Sequence, residues 1–176
     1  MKSKKNLIFV GMMGSGKTSI GSLVSKKLKA NFIDIDQLIE KETGKEISKI
    51  FEEEGEEYFR KIEEKITLKI LKNENAVISL GGGAFMNLKI QKEILINHLS
   101  FWLNWNAETL LYRIKNSAKR PLAYNSSKNE LLNLIKKRSK IYSKALYKIN
   151  CENLSKNEIT GKILKIYETD ETCYKN

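Results

Sequence analysis

Eight consecutive residues, Gly11-Met12-Met13-Gly14-Ser15-Gly16-Lys17-Thr18, follow the apolar run Leu7-Ile8-Phe9-Val10 and open an amphipathic stretch. A strand entering a glycine loop that starts a helix is the setting in which backbone N–H groups and a helix N-terminus surround a phosphate. Lys17 is placed to reach a nucleotide's β- and γ-phosphates, and the Thr18 hydroxyl to ligate Mg²⁺. Gly14, Ser15, Gly16, Lys17, Thr18 and Ser19 are the candidate nucleotide contacts. The glycines allow sharp bending with no Cβ between backbone and phosphate.

A second chemical segment is Phe32-Ile33-Asp34-Ile35-Asp36. Read as the end of a strand, it projects both carboxylates to one side, roughly 6–7 Å apart at their Cα atoms. One could help hold Mg²⁺ beside Thr18 while the other faces a substrate hydroxyl. Asp36 alternatively reads as a helix N-cap. The run Ala76-Val77-Ile78-Ser79 does not end in the Asp of a usual Walker B, so the metal carboxylate falls to Asp34. No Asn-Lys-x-Asp guanine signature occurs, which argues against a GTPase. Gly81-Gly82-Gly83 after that run leaves bare backbone facing the same crevice.

Basic residues number 32 and give a net charge of +11, but only Arg60, Arg113, Arg120 and Arg138 are arginines. Lysines scattered among Asn, Ile and Glu read as a solvated surface, so no nucleic-acid partner is expected. In a chain that uses lysine by default, arginine marks sites needing a planar bidentate donor. Arg138 falls on an apolar stripe through Leu131, Leu134, Ile135, Ile141, Tyr142 and Ala145, where a charge must be paired or face a ligand. Arg60 lies one turn before Glu63 and Glu64, so an intrahelical pair competes with a substrate role. Together Arg60 and Arg138 could clamp a carboxylate. Phe51, Phe59, Trp102 and Trp105 read as packing residues, and the single His98 as a surface or boundary residue.

The elements that must position these residues alternate. Strands are expected near 6–10, 31–35, 76–80, 100–104 and 146–150. Helices are expected near 17–29, 36–42, 46–53, 56–72, 88–97, 107–115, 128–145 and 156–167. Such alternation predicts an α/β fold, a parallel sheet with helices on both faces. Residues 116–127 lack periodicity and read as a mobile lid carrying Arg120 and Pro121. The tail, 168–176, reads as frayed.

With 176 residues, 41% hydrophobic and 30% charged, the chain fits one folded domain, 1–176, and not a disordered one. No apolar stretch approaches a membrane span, and the first one is too short for a signal peptide. Cys151 and Cys173 have no metal-type spacing and read as free thiols in a reducing cytosol.

Taken in order, these pieces resemble the shikimate kinase family. They are Gly-x-x-Gly-x-Gly-Lys-Thr, Asp34-x-Asp36 with Ile39-Glu40, Phe59-Arg60-x-x-Glu63, Ser79-x-Gly-Gly-Gly, Arg120-Pro121-Leu122 and Arg138. The resemblance spans about residues 6–150. It implies a P-loop fold like that of nucleoside monophosphate kinases: a three-layer sandwich with a five-stranded parallel sheet, acceptor-binding helices about 36–62 and a closing lid. It implies transfer of the γ-phosphoryl group of ATP to the 3-hydroxyl of shikimate by a cytoplasmic monomer with one Mg²⁺. In that scheme Lys17, Asp36 and Arg120 are catalytic, and Thr18 and Asp34 hold the metal. Arg60, Arg138 and the Gly81, Gly82 and Gly83 backbone hold shikimate, with Glu63 orienting Arg60. Arg113 stacks near adenine and Arg120 meets the phosphates. The alternatives are another small-molecule P-loop kinase, such as a gluconate kinase, and a nucleotide-dependent regulatory protein without turnover. The Asp-x-Asp, Gly-Gly-Gly and Arg-Pro-Leu set argues against the first, and the full acid and arginine set against the second. A nucleoside monophosphate kinase would show more than four arginines.

Overall fold

The structure, a computed structural model, describes residues 5–116 and 126–170. Its strands are β1 (Leu7–Val10), β2 (Asn31–Asp34), β3 (Ala76–Ser79), β4 (Leu99–Asn104) and β5 (Tyr147–Asn150). They form one parallel sheet in the order β2-β3-β1-β4-β5. Parallel neighbours need crossovers, and helices supply them: α1 (Lys17–Leu28), α2 (Ile35–Thr43), α3 (Ile47–Leu71), α4 (Leu88–Asn97), α5 (Ala107–Lys115), α6 (Lys128–Tyr142) and α7 (Lys156–Thr169).

Side chains alternate across the pleat, and β1 shows the result. Leu7 and Phe9 pack with α1 and α7 through Val24, Ile159 and Ile163. Ile8 and Val10 face the opposite layer, with Ile39 of α2, Phe59 of α3 and Ile135 of α6. The three-layer sandwich is therefore present, with a core on each face of the sheet. Gly21 of α1 allows a close approach, since a Cβ there would lie 2.6 Å from the Phe32 ring.

Four expectations are corrected. Asp36 is not on a strand: β2 ends at Asp34, and Asp36 occupies the first turn of α2. The N-cap is Asp34, whose Oδ1 accepts from Gln37 N at 3.3 Å. The break expected between helices at 46–53 and 56–72 is present, by contrast: α3 is two helical arms that meet at Gly55, whose φ of 82° is left-handed. His98 is not a surface residue: it follows α4 with 3% exposure. Residues 168–170 are not frayed, because Tyr167 is buried in the second core and Tyr147 Oη donates to Asp170 at 2.6 Å. Of the expected lid only residues 116, 126 and 127 are described, and Ser127 begins α6 with a capping box to Glu130. Arg120 and Pro121 lie outside the described residues, as does Cys173.

Candidate active site

The carboxyl ends of β1, β2 and β3 lie level, with Phe9 and Asp34 both paired to Ser79. Ligands of open α/β sheets bind beyond this edge. The phosphate loop follows β1, and Gly11, Gly14 and Gly16 all adopt positive φ, at 145°, 78° and 89°. These angles turn the chain tightly enough for Gly16 to cap α1 without a side chain. Lys17 is buried, with Nζ donating to the carbonyls of Gly11 at 2.9 Å and Met12 at 3.1 Å. Its charge is thus held inside the loop. Ser15 is buried within the loop, while Thr18 and Ser19 are exposed on the first turn of α1.

Thr18 Oγ1 donates to Asp34 Oδ2 at 2.7 Å. The structure thereby brings together the two residues expected at a metal. Hydroxyl and carboxylate oxygens suit Mg²⁺, which takes few protein ligands and completes its shell with phosphate and water. Among the described residues no cluster of three or more His, Cys, Asp or Glu side chains could hold a metal by itself.

The Gly81–Gly83 loop carries the opposite wall. A Cβ on Gly81 would lie 2.6 Å from Asp36 Oδ1 and 2.7 Å from Glu63 Oε1, so two carboxylates flank this residue. A Cβ on Gly82 would lie 3.4 Å from Met13 N of the phosphate loop and 3.5 Å from Arg138 Nη1. One on Gly83 would lie 2.7 Å from Arg60 Cζ. Asp36, Arg60 and Arg138 therefore converge on one bare backbone segment next to the phosphate loop. The kink at Gly55 divides α3, leaving Phe51 before it and Phe59, Arg60 and Glu63 after it.

Arg60 is held in several ways. Its Nη1 donates to Glu63 Oε2 at 2.6 Å, and its Nε and Nη2 donate to Glu56 Oε1 at 3.2 and 3.0 Å. Its Cζ also lies 5.1 Å from the Phe59 ring centroid and 6.0 Å from that of Phe51. The two phenylalanines thus do more than fill the core. Burial is the largest influence on Glu63 and drives its carboxyl above the ordinary range; Arg60 and Arg138 oppose this, and the Asp36 charge adds to it. Arg60 is raised, its paired carboxylates outweighing the lowering by burial. Arg138 is 9% exposed, as its place on an apolar stripe requires of a paired or ligand-facing cation.

The contacts of two residues were missed in the sequence. Tyr142 Oη donates to the Gly82 carbonyl, and burial pushes its phenol up to about 12. Trp105 Nε1 donates to the Ser15 carbonyl at 2.9 Å, while Arg113 Cζ stands 3.6 Å from the Trp105 ring centroid. Their positions one step beyond a strand end and on a buried stripe signalled only packing.

The loop, the sheet order and the facing carboxylate and arginines define a P-loop kinase with a nucleoside-monophosphate-kinase-like fold. The same fold, at 16% identity and a TM-score of 0.62, occurs in a deoxyadenosine kinase from M. mycoides. The family model for shikimate kinase matches residues 13–168, and the chain belongs to the shikimate kinase family. A shikimate kinase of Persephonella marina is 41% identical over 91% of this chain and 97% of its own length. One from Thermodesulfovibrio yellowstonii is 39% identical over 93% and 95%. The structure of Acinetobacter baumannii shikimate kinase in complex with shikimate superposes with a TM-score of 0.90, at 29% identity and 97% coverage of both chains.

Proposed function

We propose that this chain, an ATP-dependent kinase, transfers the γ-phosphoryl group of ATP to the 3-hydroxyl of shikimate. The observation that carries the reading is Gly82, whose neighbours are Met13 of the phosphate loop and Arg138. Donor and acceptor walls are thus in contact, as in-line transfer requires. The bound shikimate in the Acinetobacter baumannii relative supports the acceptor.

Phosphoryl transfer needs positioning and charge neutralisation more than a strong base. Lys17 stabilises the transferring group. Arg60 and Arg138 hold the shikimate carboxylate by paired donors, and Glu63 fixes Arg60 for this purpose. The Gly81–Gly83 backbone lies against the ring. Asp36 binds the accepting hydroxyl and takes its proton. Gly14, Ser15, Gly16, Thr18 and Ser19 hold the phosphates, and Arg113 the base. Thr18 and Asp34 would hold one Mg²⁺, which neutralises phosphate charge when bound. Arg120, which lies outside the described residues, is assigned to the phosphates. Residues 1–176 act as one domain and as a cytoplasmic monomer.

Asp36→Asn tests the acceptor role. It should lower kcat by about 10²-fold or more while the ATP KM stays close to the parent's. Retained kcat would remove Asp36 from the chemistry, and ³¹P–¹H correlation of the product reads which hydroxyl was phosphorylated.

A further inference from the structure

Trp105 follows β4 and is half-buried, and two of its contacts reach the nucleotide side of the molecule. Its indole N–H bonds the Ser15 carbonyl within the phosphate loop at 2.9 Å. Its ring supports the Arg113 guanidinium, with Cζ 3.6 Å from the centroid. Arg113 also borders the loop, since a Cβ on Gly14 would lie 3.4 Å from Arg113 Cβ. A tryptophan serving only to fill volume needs a single polar partner for its N–H and no cation on its face. Here one side chain ties an arginine to the loop that binds phosphate. A guanidinium with one face on an aromatic ring keeps the other face for a second planar group.

We infer that Trp105 is the positioning residue for the nucleotide's base. It holds Arg113 at a set height above the phosphate loop, and the base stacks on the guanidinium face turned away from the indole. The inference rests on the nucleotide role given to Arg113 above. Trp105 itself touches neither phosphate nor acceptor and acts through Arg113.

The test is a double-mutant cycle on ADP binding, measured by calorimetry, with Trp105→Phe, Arg113→Ala and the double variant. Trp105→Phe should weaken ADP binding ~10-fold, the scale of a desolvated cation–aromatic contact. The shikimate KM and the melting temperature should hold. In the Arg113→Ala background the same change should cost nothing further. Losses that multiply in the double variant would overturn the inference. So would parent-like ADP binding by Trp105→Phe when Arg113→Ala binds weakly. If Arg113→Ala alone leaves ADP binding intact, the nucleotide role of Arg113 fails, and this inference fails with it.

Discussion

Arg138 is a buried cation on an apolar helical stripe, 9% exposed and next to Gly82. Its neighbours are Gly82, Tyr142 and Glu63, and the proposed function gives it the acceptor's carboxylate, so removing it should cost acceptor binding more than folding. Arg138→Ala should raise the shikimate KM ~30-fold or more with the melting temperature near the parent's; a near-normal KM would end the carboxylate-clamp assignment. Glu63 gives a pH prediction. Its carboxyl lies above the ordinary 4.5 because of burial, so folding binds protons at this group. Its contribution is complete below 4.5 and is lost as pH rises through the higher folded value. Glu63→Gln, which cannot ionise, should therefore gain stability relative to the parent as pH rises above 4.5. Thermal unfolding of both proteins from acid to neutral pH reads the gap; a gap moving the other way would mean that Arg60 and Arg138 outweigh burial. That Arg60 and Arg138 meet at one place, the glycine loop, was legible in the sequence because lysine is this chain's default cation. Tyr142 was not, since a stripe position says that a ring is buried and nothing about where its hydroxyl ends. His98 was misread for the opposite reason: a polar side chain at a helix–strand junction looks exposed until the two elements close over it.

At the scale of elements, the Gly81–Gly83 loop acts through what its missing side chains admit. Gly83 has ordinary angles, φ −101° and ψ −19°, so alanine fits its backbone. The added methyl would meet the end of Arg60, a flexible group that can move aside. Gly83→Ala should leave unfolding free energy within about 1 kcal/mol of the parent yet raise the shikimate KM about 10- to 100-fold through misplacement of the guanidinium. Equal activity would show that Arg60 can bind from a shifted position. The five strands were legible from short apolar runs, and the phosphate loop from glycine spacing. The β2–α2 junction was not. Ile33 and Ile35 continue an alternating pattern across a boundary set by the Asp34 cap, which made the two acids look like neighbours on one strand face although the helix expected at 36–42 already holds Asp36. Gly55 was legible as a break between two helices, and the helix does resume directly after that one left-handed residue.

The whole molecule is organised by the order β2-β3-β1-β4-β5, which puts the acid, the loops and both clamp arginines at one edge of the sheet. Helices on both faces leave Cys151 fully buried beyond β5, where its N–H bonds Asn104 O at 2.9 Å and burial pushes its thiol up to about 12. With so little thiolate near neutral pH, a Cys173→Ser protein should show no reactive thiol when native and one when unfolded. A fast native reaction in a dithionitrobenzoate titration would mean that the last strand and α7 open readily. Fold class was legible because a period of two and a period of 3.6 alternate along the chain. Strand order was not, because it follows from long crossovers that local pattern does not encode. The central claim is the acceptor. The direct measurement is ADP release from Mg-ATP in a coupled assay, with shikimate, gluconate and nucleoside monophosphates supplied separately. Release that depends on shikimate alone is predicted. Silence with shikimate and turnover with another acceptor would contradict it, leaving the nucleotide site intact and the acceptor wall misassigned.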